Sequence, residues 1–226
     1  MDYKIIGKVI PAVEIRLNKG ETMFTQSGGM SWQSDGLEMS TNTRGGMLKG
    51  LGRMLSGESM FMAHYSAVRD GATIAFASTV PGSIVSVDAE NAGGLIIQKG
   101  AFLCAEDSVK LETVFTKKLS SGFFGGEGFI LQRVSGRGKA FLEIDGDMMQ
   151  KELQPGEVLK VDSGNVAAFS ASIRDEIETV KGMGNILFGG EGLFLTKLTG
   201  PGKVILQTMN FADFAGKIAE RIPSNG

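Results

Sequence analysis

Short apolar runs bounded by glycine dominate the pattern of hydrophobic and polar positions along this chain. Phe129-Ile130-Leu131 and Ala140-Phe141-Leu142 are two such runs. Their length between turn residues is more typical of buried strands than of helices. Residues 135–138 (Ser-Gly-Arg-Gly) and 199–202 (Thr-Gly-Pro-Gly) predict hairpin turns in which glycine supplies a positive φ. The pattern therefore predicts an all-β protein.

One of these glycine-bounded phrases is repeated. FFGGEGFILQRVSGRGKAFLEI at residues 123–144 returns as LFGGEGLFLTKLTGPGKVILQT at 187–208, with ten identities over the 21 positions that start at Phe124 and Phe188. A more divergent third copy spans residues 55–76, where Gly57-Glu58-Ser59 stands for Gly-Glu-Gly. An internal repeat of this kind indicates a fold built from related units.

A second landmark also occurs three times. Asn18-Lys19-Gly20, Gln98-Lys99-Gly100 and Gln154-Pro155-Gly156 each precede a short apolar stretch and then a polar turn. The two landmarks alternate, which predicts three β-meander units in a pseudo-threefold arrangement. We expect a single domain over residues 1–226, with repeats at about 12–80, 90–148 and 150–210.

Two segments have helical periodicity. FADFAGKIAERI at 211–222 places apolar residues at i, i+3, i+4, i+7 and i+11, and Pro223 follows it, so a C-terminal helix is predicted there. Residues 46–55 also place methionine and leucine on one helical face. Gly50 and Gly52 disfavour that helix by about 1 kcal/mol each.

Composition and charge narrow the function classes. The formal net charge is −2 and the sequence contains one Trp and two Tyr, so neither a basic field nor an aromatic platform favours nucleic acid. The single Cys104 fits a reducing compartment. The N-terminal residues resemble neither a signal peptide nor a transit peptide, and no stretch has 18 uninterrupted apolar residues. We expect a cytoplasmic protein.

The residues that usually carry catalysis are scarce. His64 is the only histidine, in an apolar stretch that favours a partly buried strand position, and Cys104 is expected to be buried and inert. Because zinc needs three or four such ligands, no metal site or cofactor is predicted. Asp145-Gly146-Asp147 resembles the opening of a calcium loop but lacks the later ligands, so a turn is favoured.

The Gly-Glu-Gly phrase allows two interpretations. A structural turn must recur in every unit whereas a unique active site need not, so the repetition favours a turn that begins a strand. The alternative is a ligand site in which Glu58, Glu127 and Glu191 converge near a pseudo-threefold axis and would repel one another unless bridged by a cation or neutralised.

A second candidate surface lies in the segment 41–61. Its Met/Leu face with two basic residues is either a connector that packs on the core or a surface that contacts a membrane or a protein partner, and the connector is favoured. The residues of this candidate face are Met47, Leu48, Lys49, Leu51, Arg53, Met54 and Leu55.

The sequence also resembles a known family. GGMLKGLGRMLSGESMF at 45–61, GATIAF at 71–76 and the paired FGGEG phrases resemble the altered-inheritance-of-mitochondria protein 24 family, in its bacterial and archaeal branch. The resemblance covers nearly the whole chain. It implies a fold similar to that of the tryptophan RNA-binding attenuator protein, which is classed with double-stranded β-helices. It also implies a link to mitochondrial biogenesis for the eukaryotic relatives, and it supplies no catalytic residues.

Three hypotheses for function follow. The favoured one is a non-enzymatic binding or scaffold protein that binds a protein partner or associates with itself as a homo-oligomer. The second is an enzyme that uses Glu or Asp on a β-helix scaffold. The third, from the family resemblance, is a peripheral membrane-organising module.

Overall fold

The chain folds mainly as β-strands. The structure is a computed structural model, and it describes residues 1–26, 28–42, 62–90, 93–117, 129–179, 194–219 and 221–222. The first strands are β1 (Asp2–Ile6), β2 (Ala12–Leu17), β3 (Thr22–Gln26), β4 (Met30–Gln33), β5 (Leu37–Asn42), β6 (Met62–Ala67) and β7 (Ala72–Ala77). The all-β class predicted from the sequence is confirmed.

Strand β1 stands before a first group of six strands, β2 to β7, and two further groups of six strands follow. One is β8 (Gly82–Asp88), β9 (Leu95–Gln98), β10 (Phe102–Glu106), β11 (Val109–Lys117), β12 (Phe129–Gly136) and β13 (Lys139–Asp145). The other is β14 (Met148–Leu153), β15 (Val158–Asp162), β16 (Val166–Ser170), β17 (Arg174–Thr179), β18 (Phe194–Thr199) and β19 (Gly202–Gln207). The helix α1 (Phe211–Ala219) comes last and begins where it is predicted, but it ends at Ala219 instead of the predicted Ile222.

The strands form four antiparallel sheets. Sheet A has the order β1-β2-β7-β4, and sheet B the order β5-β6-β3-β10-β13-β8. Sheet C has the order β11-β12-β9-β16-β19-β14, and sheet D the order β15-β18-β17. Sheets B and C each combine three strands of one group with three strands of the next.

The same pairing scheme recurs in each group of six strands. In the second group, β12 pairs with β11 and β9, while β13 pairs with β8 and β10. In the first group, β6 pairs with β5 and β3, and β7 pairs with β2 and β4. In the third group, β18 pairs with β17 and β15, and β19 pairs with β14 and β16. Apart from β5 with β6, β11 with β12 and β17 with β18, these pairings skip one or more intervening strands, so the predicted meander order is wrong. A pseudo-threefold axis and the predicted repeat boundaries stay predictions.

An irregularity in register marks the same place in each group. The pairing shifts between Met30 and Trp32 where β4 meets β7, between Phe102 and Cys104 where β10 meets β13, and between Val166 and Ala168 where β16 meets β19. A bulge of this kind bends its strand and increases the local twist. Positions in the three groups can therefore be matched residue by residue.

The core consists of three apolar layers between the four sheets. Val13, Ile15 and Phe76 of sheet A pack with Met23 and Tyr65 of sheet B. The opposite face of sheet B carries Phe24 and Leu142, which pack with Ile97 and Val134 of sheet C. Phe169 and Val204 on the other face of sheet C pack with Leu198 of sheet D. The sheets therefore stack in the order A, B, C, D.

Candidate binding surface

The helix α1 displays an apolar stripe to solvent. Phe211, Phe214 and Ile218 on the helix, and Ile222 beyond it, recur at i, i+3, i+7 and i+11. Their side chains are 53%, 45%, 48% and 64% exposed. A surface helix usually turns such a stripe toward the core of its own protein. In this chain the stripe remains available to another molecule.

The start of α1 is held by Asn210. Its backbone oxygen accepts a hydrogen bond from Phe214 N at 3.0 Å, and its Oδ1 accepts one from Asp213 N at 3.4 Å. This is the capping that asparagine offers to the unsatisfied N–H groups of a helix. Asp213 in the first turn and Lys217 in the last turn also complement the helix dipole. Local residues therefore fix where α1 begins.

The segment that leads into α1 belongs to a row of connecting loops, which we call the connector row: residues 9–11, 81–82, 145–147 and 208–210. Gly82 N donates to Val9 O at 2.8 Å, Gly146 N donates to Pro81 O at 2.8 Å, and Met209 N donates to Asp145 O at 3.1 Å. These backbone bonds join loops that connect successive strand groups. The connector row is thus continuous from the N-terminal loop to the beginning of α1.

Additional apolar side chains are exposed in and beside the connector row. Val9 is 66% and Ile10 is 53% exposed, and Met148 and Met149, at the start of β14, are 40% and 51% exposed. Singly exposed apolar residues are common on protein surfaces. Their occurrence along the row that leads into an exposed apolar helix makes this region the best candidate for a binding surface.

Asp145 is a partly buried carboxyl in the connector row. Burial, and secondarily the charge of Glu143, raise the pKa of the Asp145 carboxyl to about 6. Glu143 itself accepts hydrogen bonds from Ser78 Oγ and Thr79 N, each at 2.9 Å. The Glu143 carboxylate therefore fastens the loop that precedes β8, which is a structural role.

The other candidate residues named from the sequence are His64, Cys104 and the turn from Asp145 to Asp147. His64 lies on β6, as expected for a strand histidine, with its ring stacked on Phe24 and its Nδ1 3.0 Å from Asp107 Oδ1. Cys104 is fully buried, and burial raises the pKa of its thiol. Gly146, at a φ of 73°, forms the predicted turn between Asp145 and Asp147. Within the described ranges, no group of three His, Cys, Asp or Glu side chains is placed to hold a metal ion.

Comparison with known proteins identifies the relatives of this fold. The family model described as mitochondrial biogenesis AIM24 matches residues 3–209. The chain belongs to this family. It is 28% identical over 223 residues to an uncharacterised protein of Streptococcus pyogenes serotype M6, covering 95% of this chain and 88% of the relative.

A solved structure supports the same assignment. The AIM24-family chain is similar to the crystal structure of a Streptococcus pyogenes protein determined by a structural genomics consortium, with a TM-score of 0.79 and 26% sequence identity. The similarity covers 98% of this chain and 99% of the other. In the part of the AIM24-family chain that the structure describes, no helix is long and apolar enough to span a membrane.

The residues proposed from the sequence as sites of the AIM24-family chain lie outside the described residues. This holds for Glu58, Glu127 and Glu191, and for the face formed by Met47, Leu48, Lys49, Leu51, Arg53, Met54 and Leu55. The described strands that follow the three glutamates begin at Met62, Phe129 and Phe194. A strand therefore follows each copy of the motif, as predicted, while convergence of the glutamates stays a prediction.

Sequence reasoning missed three features of the structure. The 3.6-residue periodicity reveals the stripe of α1, but periodicity cannot tell whether a stripe is covered. The acidity of Asp145 depends on burial by loops that are distant in sequence. The pairing of His64 with Asp107 joins residues 43 positions apart. The exposure of the stripe, the acidity of Asp145 and the pairing of His64 all depend on residues distant in sequence, so no local pattern predicts them.

Proposed function

We propose that this AIM24-family chain is a non-enzymatic binding or scaffold protein, and that α1 with the connector row is the surface that holds its protein partner. The observation that carries the proposal is the exposure of Phe211, Phe214, Ile218 and Ile222 on one stripe. Contiguous exposed apolar patches on soluble proteins commonly mark interaction sites.

The length of α1 supports the same role. A nine-residue helix is marginal in water without contacts to its apolar face. Asn210, Asp213 and Lys217 stabilise its ends, but each such contribution is about 1 kcal/mol or less. A partner that covers the stripe would add the larger stabilisation, roughly 1.5–3 kcal/mol for each large apolar side chain removed from water.

The chemistry of the helix defines the kind of partner. Apolar residues at i, i+3 and i+7 fit the mode in which an amphipathic helix lies in an apolar groove of another protein. Asp213 and Lys217 on the polar side carry opposite charges, so electrostatic attraction to a uniformly charged surface is weak. We therefore expect a protein groove lined by aliphatic and aromatic side chains as the partner site.

Two of the described carboxylates have structural partners. Asp107 is paired with His64, and Glu143 is engaged by Ser78 and Thr79. An enzyme that uses Glu58, Glu127 or Glu191, a membrane contact through the face from Met47 to Leu55, and the cytoplasmic location stay predictions from the sequence.

Native co-purification with quantitative mass spectrometry tests the proposal. The protein with Phe214→Ser and Ile218→Ser should lose the partners that the unaltered protein captures, because both side chains belong to the stripe. Lys217→Ser, on the polar side of α1, should retain them. Flotation with vesicles of neutral and anionic lipid tests whether the stripe binds a membrane instead of a protein. The proposal would be contradicted if the double variant no longer bound vesicles that the unaltered protein binds, while it kept every protein partner.

A further inference from the structure

Strands β4 and β15 lie at the edges of sheets A and D. The equivalent strands in the other groups pair with each other and so join two half-sheets into one sheet. Sheet B is continuous because β3 pairs with β10, and sheet C is continuous because β9 pairs with β16. In the third strand group β15 corresponds to β3 and β9, and in the first group β4 corresponds to β10 and β16. Among the described strands, β15 pairs only with β18, and β4 pairs only with β7.

The two internal junctions have the same register. Phe24 lies opposite Ala105, and Ile96 lies opposite Phe169. Two residues farther along, Asp107 N donates to Thr22 O at 3.1 Å, and Ala171 N donates to Gly94 O at 2.9 Å. A third junction in this register would place Gln33 opposite Lys160, with Asp35 N donating to Val158 O.

Among the described strands, the open edges of β4 and β15 present the groups that this register requires. Ser34 N donates to Thr73 O at 2.8 Å, so Ser34 faces β7. Because hydrogen-bonding direction alternates along an antiparallel strand, the N–H and C=O of Gln33 face the open side. On β15, Glu157 O accepts from Gly200 N at 2.9 Å, so Lys160, three residues later, also faces outward.

The side chain of Trp32 adds independent support. The register shifts place Trp32 of β4 in the position that Cys104 and Ala168 occupy in the other groups. Cys104 and Ala168 are fully buried at their junctions, whereas Trp32 is 43% exposed. In the third junction Trp32 would lie opposite Val161, as Cys104 lies opposite Thr25 and Ala168 opposite Ile97.

We propose that two copies of this chain associate by pairing β15 of one copy with β4 of the next. The contact joins sheet D of one copy to sheet A of the other and extends both sheets into one. Because different edges meet, the contact is heterologous, and copies joined in this way close into a ring where the rotation between them permits it. Gln33 and Lys160 stand where the internal junctions have apolar residues, so less apolar surface is buried between the copies. The association is therefore weaker than the internal junctions, and the copies separate on dilution.

Lys160 is paired with Glu178 at 2.7 Å on the surface of sheet D, and changes of charge opposite Lys160 test the register without disturbing the core. Gln33→Lys places like charges directly opposite one another across the junction, which is destabilising. Gln33→Glu places opposite charges there and should tighten the association. Lys160→Glu in the Gln33→Lys background should restore it. Lys151→Glu on exposed β14, an edge without a matching partner in this scheme, is the control.

Sedimentation velocity over a thousandfold range of protein concentration, with tryptophan emission recorded in parallel, tests the proposal. Trp32 is the only tryptophan, so a shift of its emission to shorter wavelength reports its burial.

We expect concentration-dependent association with this shift, weakened up to about fivefold by Gln33→Lys, restored by the added Lys160→Glu, and unaltered by Lys151→Glu. A monomer at every concentration would overturn the proposal, as would association that none of the Gln33 variants changes. Because α1 is untouched by these variants, the outcome is independent of the partner-binding test.

Discussion

Phe24 lies directly opposite Ala105 across the junction of β3 and β10, and both residues are almost fully buried. Ile96 and Phe169 stand in the same relation one strand group later. The repeated sequence therefore encodes a repeated way of joining strands. In the described structure, the strand that follows each of the three Glu-containing phrases is the centre of its half-sheet, β6, β12 or β18.

Removal of Phe141 should severely destabilise the stack. Phe141 is fully buried between sheets A and B, and its ring contacts that of Tyr3 edge-on at 4.9 Å between centroids. Phe141→Ala leaves a cavity in this layer, and we expect the free energy of unfolding to fall by about 3–5 kcal/mol. Val114→Ala, on an exposed position of β11, should change it by about 0.5 kcal/mol or less in the same denaturant titration. Equal effects of the two substitutions would contradict the layered core.

The Asp145 carboxyl should make stability decrease as the pH rises. Its pKa is about 6 in the folded protein, whereas an unperturbed aspartate in the unfolded chain has a pKa of about 3.9. The folded state therefore binds more protons between about pH 4 and 6, so the free energy of unfolding falls across that window and is constant above it.

Asp145→Asn should remove this pH dependence. The variant should be more stable than the unaltered protein by about 1 kcal/mol at pH 8. This is less than the whole difference between the folded and unfolded pKa values would give, because the carboxyl keeps some contact with solvent. The two proteins should converge near pH 4. Asp147→Asn, two residues away and exposed, serves as the control. Denaturant titrations at pH 4, 5, 6 and 8 measure the difference, and a constant difference at all four would refute the assignment.

Gly82 should not tolerate a side chain. A Cβ at Gly82 would collide with the backbone oxygen of Ile144, at the point where the connector row crosses from one strand group to the next. Gly82→Ala should therefore destabilise the protein by about 1–3 kcal/mol, since backbone rather than a flexible side chain must move. Gly100→Ala, where nothing lies within 4 Å of the added Cβ, should be nearly neutral. Thermal unfolding of both variants gives the comparison, and a neutral Gly82→Ala would show that the row can open.

Local signals in the sequence predict much of the fold. Glycines at 136 and 138 adopt the positive φ expected of a hairpin turn, and strands follow all three Glu-containing phrases. Asn210 and the periodicity from Phe211 onward locate α1. These features depend on residues within a few positions of one another, so a short stretch of sequence is enough to predict them.

The order of strands in the sheets could not be predicted in this way. β9 pairs with β12 and β10 pairs with β13, so the strands of a group interlock instead of following one another as a meander. The choice depends on which apolar faces meet across layers, as with Met23 toward sheet A and Phe24 toward sheet C. Such contacts join residues far apart in sequence. The exposure of the α1 stripe is likewise settled by the whole molecule.

The stripe of α1 should be dispensable for folding, which separates its function from its structure. Phe214 and Ile218 are each about half exposed, so replacing both with serine should lower the free energy of unfolding by about 1 kcal/mol or less. Circular dichroism and denaturant titration measure this. A loss of several kcal/mol would mean that the stripe packs on its own protein.

The most direct test of the central claim, that the chain binds a protein partner through α1, is native co-purification of the unaltered protein beside two variants. We predict that partners captured by the unaltered protein are retained by Lys217→Ser and lost when Phe214→Ser and Ile218→Ser are combined. An identical set of partners on all three proteins would contradict the account.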